Sequence, residues 1–427
     1  ISTVNKKMAI RRWNETLSTP VGEAFGNIDF LRDLPAVLGL GAYLVKDDRT
    51  RRKLDPTNHY KFADGSLAAL NGSMGQYMWC WNKHYFSWWR DGNYIYEAVS
   101  TEPIAQGECY YIPAGGTSAF GAGVMDRTSN LLCSLISDDT RYRGGNNNAA
   151  YDGTYRTFLG KAASNITATT FSTYARARGV GWESGWYAAR AVQEYLFRVI
   201  MGTRHSQAAY NPNKDANGLY QGGLGDGVTI LSGTEWSNYN GYYPFIPTSA
   251  GIELGDACGE ASYNIPASDG ASTFKTVKIP VFFGLKNMYG HLWQAVRGII
   301  VDAGAEKSLI YVAPSLYNNY NNDNVTGMKA AGEMARTESY IKKLSMHKLN
   351  CLPTEVNGST STYYADMSYC NHTSSQGLRC RLAGGSANDG DGAGAGSFAS
   401  STNNAVSVAS TSISSPLCYF EEDPLMP

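Results

Sequence analysis

The sequence predicts an α+β fold in which short strands and long loops outweigh helices, divided into a smaller β-rich module over residues 1–120 and a larger loop-rich domain over 121–427. Three observations predict it. Between Asn58 and Ile112 aromatic and aliphatic residues recur in short runs punctuated by Gly or Asn, the texture of successive short strands. Helical periodicity is sustained only near residues 171–202, and from Gly218 onward Gly and Asn dominate, as in GLYQGGLGDGVT. The chain then closes on Pro416, Leu417, Cys418, Tyr419 and Phe420, an apolar cluster that reads as a buried strand.

Taken in order, Ile1 to Arg52 mixes short apolar runs with basic residues, and Leu34-Pro35 and Gly39-Leu40-Gly41 are expected to break any long helix. The aromatic runs Tyr77–Trp81, Tyr85–Trp89, Tyr94–Tyr96 and Tyr110–Ile112 follow; they read as core and cross-strand pairs rather than as a sugar platform. Gly121 to Ser137 reads as a hairpin with its turn at Asp126–Asn130, and Arg141 to Asp152 as a loop. A short helix is expected over Phe171–Arg178. A longer one is expected to start at Ser184 as its cap and to stop at Gly202, burying Ala188, Val192, Tyr195, Leu196, Val199 and Ile200 and pairing Glu194 with Arg198 on its other face. Strands are expected over Ile279–Leu285, Gly298–Val301 and Leu309–Val312. Glu338 to Leu349 reads equally as a short helix or a strand. Long loops on few elements point to function carried by the loops.

Composition narrows the classes. The chain has 427 residues, 17% charged and 12% aromatic, with net charge -1, and its pI near 6.7 lacks the footprint of a nucleic-acid binder. No apolar run is long enough to span a bilayer. Ile1 to Arg12 has no apolar signal-peptide core and does not begin with Met, so it reads as a processed or truncated start. The eight cysteines show no CxxC spacing; buried free thiols are expected, with disulfides as the alternative, and no zinc site closes around His372 and Cys370. GxSxG, HExxH, Walker A and EF-hand patterns are absent, and no histidine has a sequence neighbour that suggests a relay. No catalytic residue, metal or cofactor is therefore expected, and a binding role is.

The stretch 382–420, LAGGSANDGDGAGAGSFASSTNNAVSVASTSISSPLCYF, is built largely from small residues and by composition alone resembles a linker. Lys, Glu, Gln, Met and Trp are missing from it, although together they make up about one residue in seven of the chain. Those are the residues whose codons cannot end in a pyrimidine. Repeated mutation of both adenines in AAC or AAT codons reaches every other residue and never these.

Phe283-Gly284-Leu285-Lys286-Asn287-Met288-Tyr289-Gly290-His291-Leu292-Trp293 resembles the GLxNMxGNVWEW signature of the formylglycine-generating-enzyme branch of the C-type lectin fold. Gly384-Gly385-Ser386 is similar to the RGGSW that follows it there, and the terminal cluster stands in the place of that branch's closing strand. Within the branch, the arrangement resembles the variable proteins of diversity-generating retroelements. The aromatic texture is similar to tail-associated proteins of phages and prophages of gut Bacteroides-type bacteria. The resemblance implies a C-type lectin-like domain over 121–427 with a variable region at about 382–420, and a fold signature at Gly284, Asn287, Gly290, Trp293, Gly384 and Gly385.

It also implies a non-enzymatic, hypervariable receptor-binding or adhesin-type protein on a virion tail or a bacterial surface. Its partners would be a protein or glycan receptor on a bacterial cell and, within the particle, other copies of itself (a homo-oligomer) or a tail assembly. The expected exposed face comprises Asn388, Asp389, Asp391, Ala393, Ser397, Phe398, Ala399, Ser400, Ser401, Val408, Ser410 and Ser412. The alternatives are a structural virion or surface component, which would bury this stretch between protomers, and a formylglycine-generating-type oxidase. Against the oxidase, Cys370 and Cys380 are ten positions apart, unlike the close copper-binding pair of that enzyme. The Glu-Pro-Asn and Trp-Asn-Asp motifs of calcium-dependent lectins are absent.

Overall fold

A computed structural model describes residues 7–229, 231–318, 320, 323–389 and 394–427. Strand outweighs helix, and the described residues hold four α-helices: α1 (Ile28–Val37), α2 (Ala168–Arg176), α3 (Tyr187–Met201) and α4 (Gly233–Tyr239). The short helix α1 accommodates Pro35 in its last turn and ends at Leu38, whose N–H donates to Leu34 O.

Two sheets frame the first part. A five-stranded sheet runs in the order 23–26, 8–14, 94–100, 84–91, 108–112. A seven-stranded sheet runs 182–184, 417–420, 115–118, 76–81, 41–45, 51–55, 58–62. In the second sheet, Gly115–Ser118 bonds Gln76–Trp81 on one edge and the terminal Leu417–Phe420 on the other. A Cβ on Gly116 would come within 2.8 Å of Cys80 Sγ and 2.9 Å of the Tyr419 ring, so only glycine lets bulky neighbours close on both sides. One sheet thus crosses the expected boundary at residue 120, and the segments 1–120 and 121–427 share a core rather than folding apart.

The shared core is organised on α3, every residue of which is buried. The helix packs against strands 8–14 and 94–100 and against strand 293–303. Its end is as the sequence predicts: Gly202 adopts φ 68° and its N–H bonds Arg198 O at 2.9 Å. Its start is not. Ser184 lies in a short strand opposite Leu417, with Trp186 as the N-cap and no side-chain cap. The expected surface pair of Glu194 with Arg198 is also replaced. Arg198 binds Glu97 from strand 94–100, and Glu194 binds Arg190 and Arg381, all buried. A helix walled in on all sides has no solvent face on which to place charge, so its charges find partners in other elements.

The larger sheet contains, in order, 329–333, 308–312, 293–303, 377–383, 400–401, 367–369, 339–345 and 352–356, with 413–414 pairing parallel to the start of 293–303. The expected hairpin forms from Val124–Asp126 and Leu131–Cys133. Ser339–Ser345 resolves the helix-or-strand choice as strand. All eight cysteines are free thiols. No helix among the described residues is long and apolar enough to cross a membrane.

Candidate functional site

The two signature segments meet. Gly290 N–H donates to Gly384 O at 2.9 Å, while Asn287 O and Met288 O lie 3.3 Å from the Gln294 amide. Gly284, Asn287, Gly290, Gly384 and Gly385 all have positive φ. At Gly385 a Cβ would fall 2.4 Å from that of Ala395, so the turn and the segment after it can touch only through glycine. Trp293 N–H donates to Ser412 O, and its ring stands edge-on to Tyr369. These residues seat the small-residue stretch on the large sheet.

Arg190 of α3 is the hub. Its guanidinium donates to Met288 O at 3.0 Å, to Ser397 O at 2.5 Å and to Gln294 Oε1 at 3.2 Å, and it pairs with Glu194. Asp366 works beside it: Oδ1 accepts Gly396 N–H at 3.0 Å and Oδ2 accepts Phe398 N–H at 2.9 Å. Burial pushes the Asp366 carboxyl up to about 7 against the pull of those two donors. Ser206 Oγ accepts Ser397 N–H at 2.8 Å. The Phe398 ring packs edge-on to Phe197 and Tyr364 beneath the Arg198 guanidinium.

That clamp corrects the expected exposed face. Ser397, Phe398, Ala399, Ser400 and Ser401 are buried, Phe398 completely, because their backbone is bonded into the core and strand 400–401 is inserted between 377–383 and 367–369. Asp391 and Ala393 lie outside the described residues. Asn388 is exposed; Asp389, Val408, Ser410 and Ser412 are half-buried. Asp389 is turned inward, its carboxylate accepting both the N–H and the hydroxyl of Ser386 at 2.7 Å, and burial raises its pKa.

Among the described residues of the stretch, Ala405, Ser407 and Ala409 are exposed along with Asn388, and the sequence reading passed over those three. Val406 and Val408 alternate with them and pack on the cluster of Trp293, Leu382 and Ile413. The signal was present in AVSVA, where small residues alternate with valine. The hydrogen bonds that tie this arm to the framework run between main-chain groups: Cys380 N–H to Asn404 O, Asn165 N–H to Ser410 O and Trp293 N–H to Ser412 O, at 2.8–3.0 Å. None depends on which side chain the arm carries.

Two polar clusters escaped the sequence reading. His372 sits with Nδ1 2.7 Å from Ser308 Oγ and Nε2 2.9 Å from Thr402 O, which fixes Nδ1 as acceptor of the serine proton. This resembles a nucleophile relay, but Arg336 also donates to Ser308 Oγ and both residues are buried. It ties strand 308–312 to the root of the exposed arm. Lys286, pushed down to about 7 by burial, donates to the Tyr77 hydroxyl, which continues through His59 to Asp256 and Lys53. This chain binds the signature turn to the seven-stranded sheet. Among the described residues no group of three or more His, Cys, Asp or Glu is placed to hold a metal ion.

No protein-family model matches the chain, and no curated protein matches it.

Proposed function

We propose that the chain is a non-enzymatic, sequence-diversified ligand-binding protein with a C-type lectin-like domain, acting as a receptor-binding protein of a phage tail or a bacterial surface. The observation that carries this reading is the arm 403–412. Its backbone is held by framework N–H groups acting on main-chain carbonyls, while Ala405, Ser407 and Ala409 point outward. Such a segment accepts almost any side chain at its outward positions, since exposed substitutions rarely change stability by more than about 0.5 kcal/mol. The missing residue types of 382–420 are those that adenine-directed mutation of AAC or AAT codons cannot produce.

The lectin-like reading is supported by the pairing of Gly115–Ser118 with Leu417–Phe420, which closes everything between them into one long loop, and by the contact of the two signature segments at Gly290 and Gly384. A face of Ala and Ser is shallow, so binding strength in this version rests on several copies acting together. Sequencing sister copies of the gene tests the proposal. Substitutions should concentrate at the codons of Asn388, Ala405, Ser407 and Ala409 and spare Phe398, beside a reverse-transcriptase gene and a near-copy of the coding stretch. Substitutions spread evenly over the chain would remove the diversification claim.

A further inference from the structure

A cleft of about 400 Å³ lies between α4, the loop at Tyr155–Arg156 and the turn end, 267–274, of the hairpin formed by strands Gly259–Pro266 and Thr273–Phe282. Its size is within the range of small-molecule sites, about 300–1,000 Å³. Its floor is aromatic and fixed. The Tyr239 hydroxyl reaches Tyr155 O at 2.7 Å and Pro266 O at 3.0 Å, and the Tyr155 and Tyr239 rings meet edge-on at 5.6 Å. Phe274 packs on Tyr239 at 5.5 Å yet remains 39% exposed, one of few large apolar side chains in solvent.

The polar groups around the rings are unequal. Glu235 is consumed: its carboxylate accepts Lys275 Nζ at 2.7 and 2.9 Å and the Ser232 N–H at 2.8 Å. Arg156 donates to the Tyr155 hydroxyl at 2.9 Å and lies over the Tyr151 and Tyr155 rings, but makes no ion pair among the described residues. The charge left to meet a ligand is therefore a guanidinium whose planar fork matches a carboxylate. Beside it an exposed ring offers the flat apolar surface that the face of a pyranose covers, and Asn238 and Thr234 line the cleft with neutral hydrogen-bonding groups.

We propose that this cleft is a fixed saccharide site that prefers a sugar bearing a carboxylate, the ring lying on Phe274 and the carboxylate on Arg156. Its position sharpens the receptor-binding reading, on which its biological setting rests. A Cβ on Gly233, the first residue of α4, would lie 3.2 Å from Asn388 Oδ1, so the cleft borders the exposed turn of the small-residue stretch. The site supplies a constant contact beside a changeable one.

Calorimetric titration of the full chain with oligosaccharides of alternating glucuronic acid and N-acetylglucosamine, against the same oligosaccharides with each carboxyl reduced to the alcohol, tests this. The acidic form should bind about tenfold or more tightly than the neutral form. Phe274→Ala, a change at an exposed side chain, should abolish binding of both. Arg156→Gln should remove only the preference, and Arg156→Lys should restore part of it. No binding of either form, or binding indifferent to Phe274→Ala and Arg156→Gln, would overturn the proposal. Titrating the variant Ala405→Tyr, Ser407→Tyr, Ala409→Tyr separates this result from the wider reading. The saccharide should still bind, whereas the diversified face stands or falls on the pattern of gene variation alone.

Discussion

Residues 394–402 and 403–412 are spelled in the same small-residue alphabet, yet the first arm is inside the protein and the second is on it. The first is bonded by side chains from afar: Asp366, Arg190 and Ser206 each reach its backbone, and Phe398 is its plug. The second is tied to the framework through main-chain groups of Cys380, Asn165 and Trp293. Composition reports what a segment permits; side chains elsewhere in the chain decide whether it is buried. The two arms therefore differ in how much they tolerate, and that difference is measurable.

The largest effect is expected at the plug. Phe398→Ala removes a fully buried ring from between Phe197 and Tyr364 and should lower stability by about 3–5 kcal/mol, read from denaturant unfolding. A loss near zero would mean that the first arm is as dispensable as the second, and the comparison would fail.

Asp366→Asn is the next test and carries a pH signature. The amide keeps one acceptor oxygen and turns an N–H toward a backbone donor, so a cost of about 1–3 kcal/mol is expected near neutral pH. In the wild type the folded carboxyl is raised to about 7 from an ordinary 3.8, so the folded state holds its proton more tightly than the unfolded one. That contribution is fully present below about pH 4 and is lost as pH rises through about 7, at no more than about 1.4 kcal/mol per pH unit. His84 and His291, pushed down to about 4 by burial, work in the opposite direction over part of that window, favouring the fold as pH rises. The difference between the wild-type and Asp366→Asn profiles therefore isolates the carboxyl. Parallel profiles would show that it does not titrate there.

Lys286 gives a smaller and separable signal at the seat of the signature turn. Its folded pKa is lowered to about 7 from 10.5, so its contribution to stability increases with pH between those values. Lys286→Met should flatten that rise while leaving the region below pH 6 unchanged. A flattening confined to the acidic side would assign the effect to another group.

Much of the frame was legible because its signals are local. Gly202 stops α3, the turn 126–130 makes its hairpin, and Leu417–Phe420 is a strand. What was not legible depends on partners distant in sequence. Nothing in the spacing of Glu194 and Arg198 announces that Glu97 and Arg381 will claim them, and Ser308 meets His372 across 64 positions. The boundary at residue 120 misled for the same reason, since Gly115–Ser118 looks like the end of a module until the last strand of the chain bonds to it. In the site, the structure brings Gly290 against Gly384, but the face was drawn through Ser397–Ser401 because serine and alanine do not announce their own burial. Alternation was the usable cue, and it singles out Ala405, Ser407 and Ala409.

Those positions supply the smallest expected effect and the most informative one. Replacing Ala405, Ser407 and Ala409 together with Tyr adds three large side chains to an arm whose carbonyls are already held by Cys380, Asn165 and Trp293. Because the bonds are main-chain and the new rings meet only solvent, each change should alter stability by about 0.5 kcal/mol or less. The same substitution at Ser400, walled in by strands 377–383 and 367–369, has no space to enter and should unfold the protein or leave it insoluble. A stable triple-Tyr variant beside a collapsed Ser400→Tyr variant would establish the second arm as a surface that can be rewritten without cost to its frame. Equal damage from both would show instead that the arm is part of the packing, and that its alanines and serines are there because nothing larger fits.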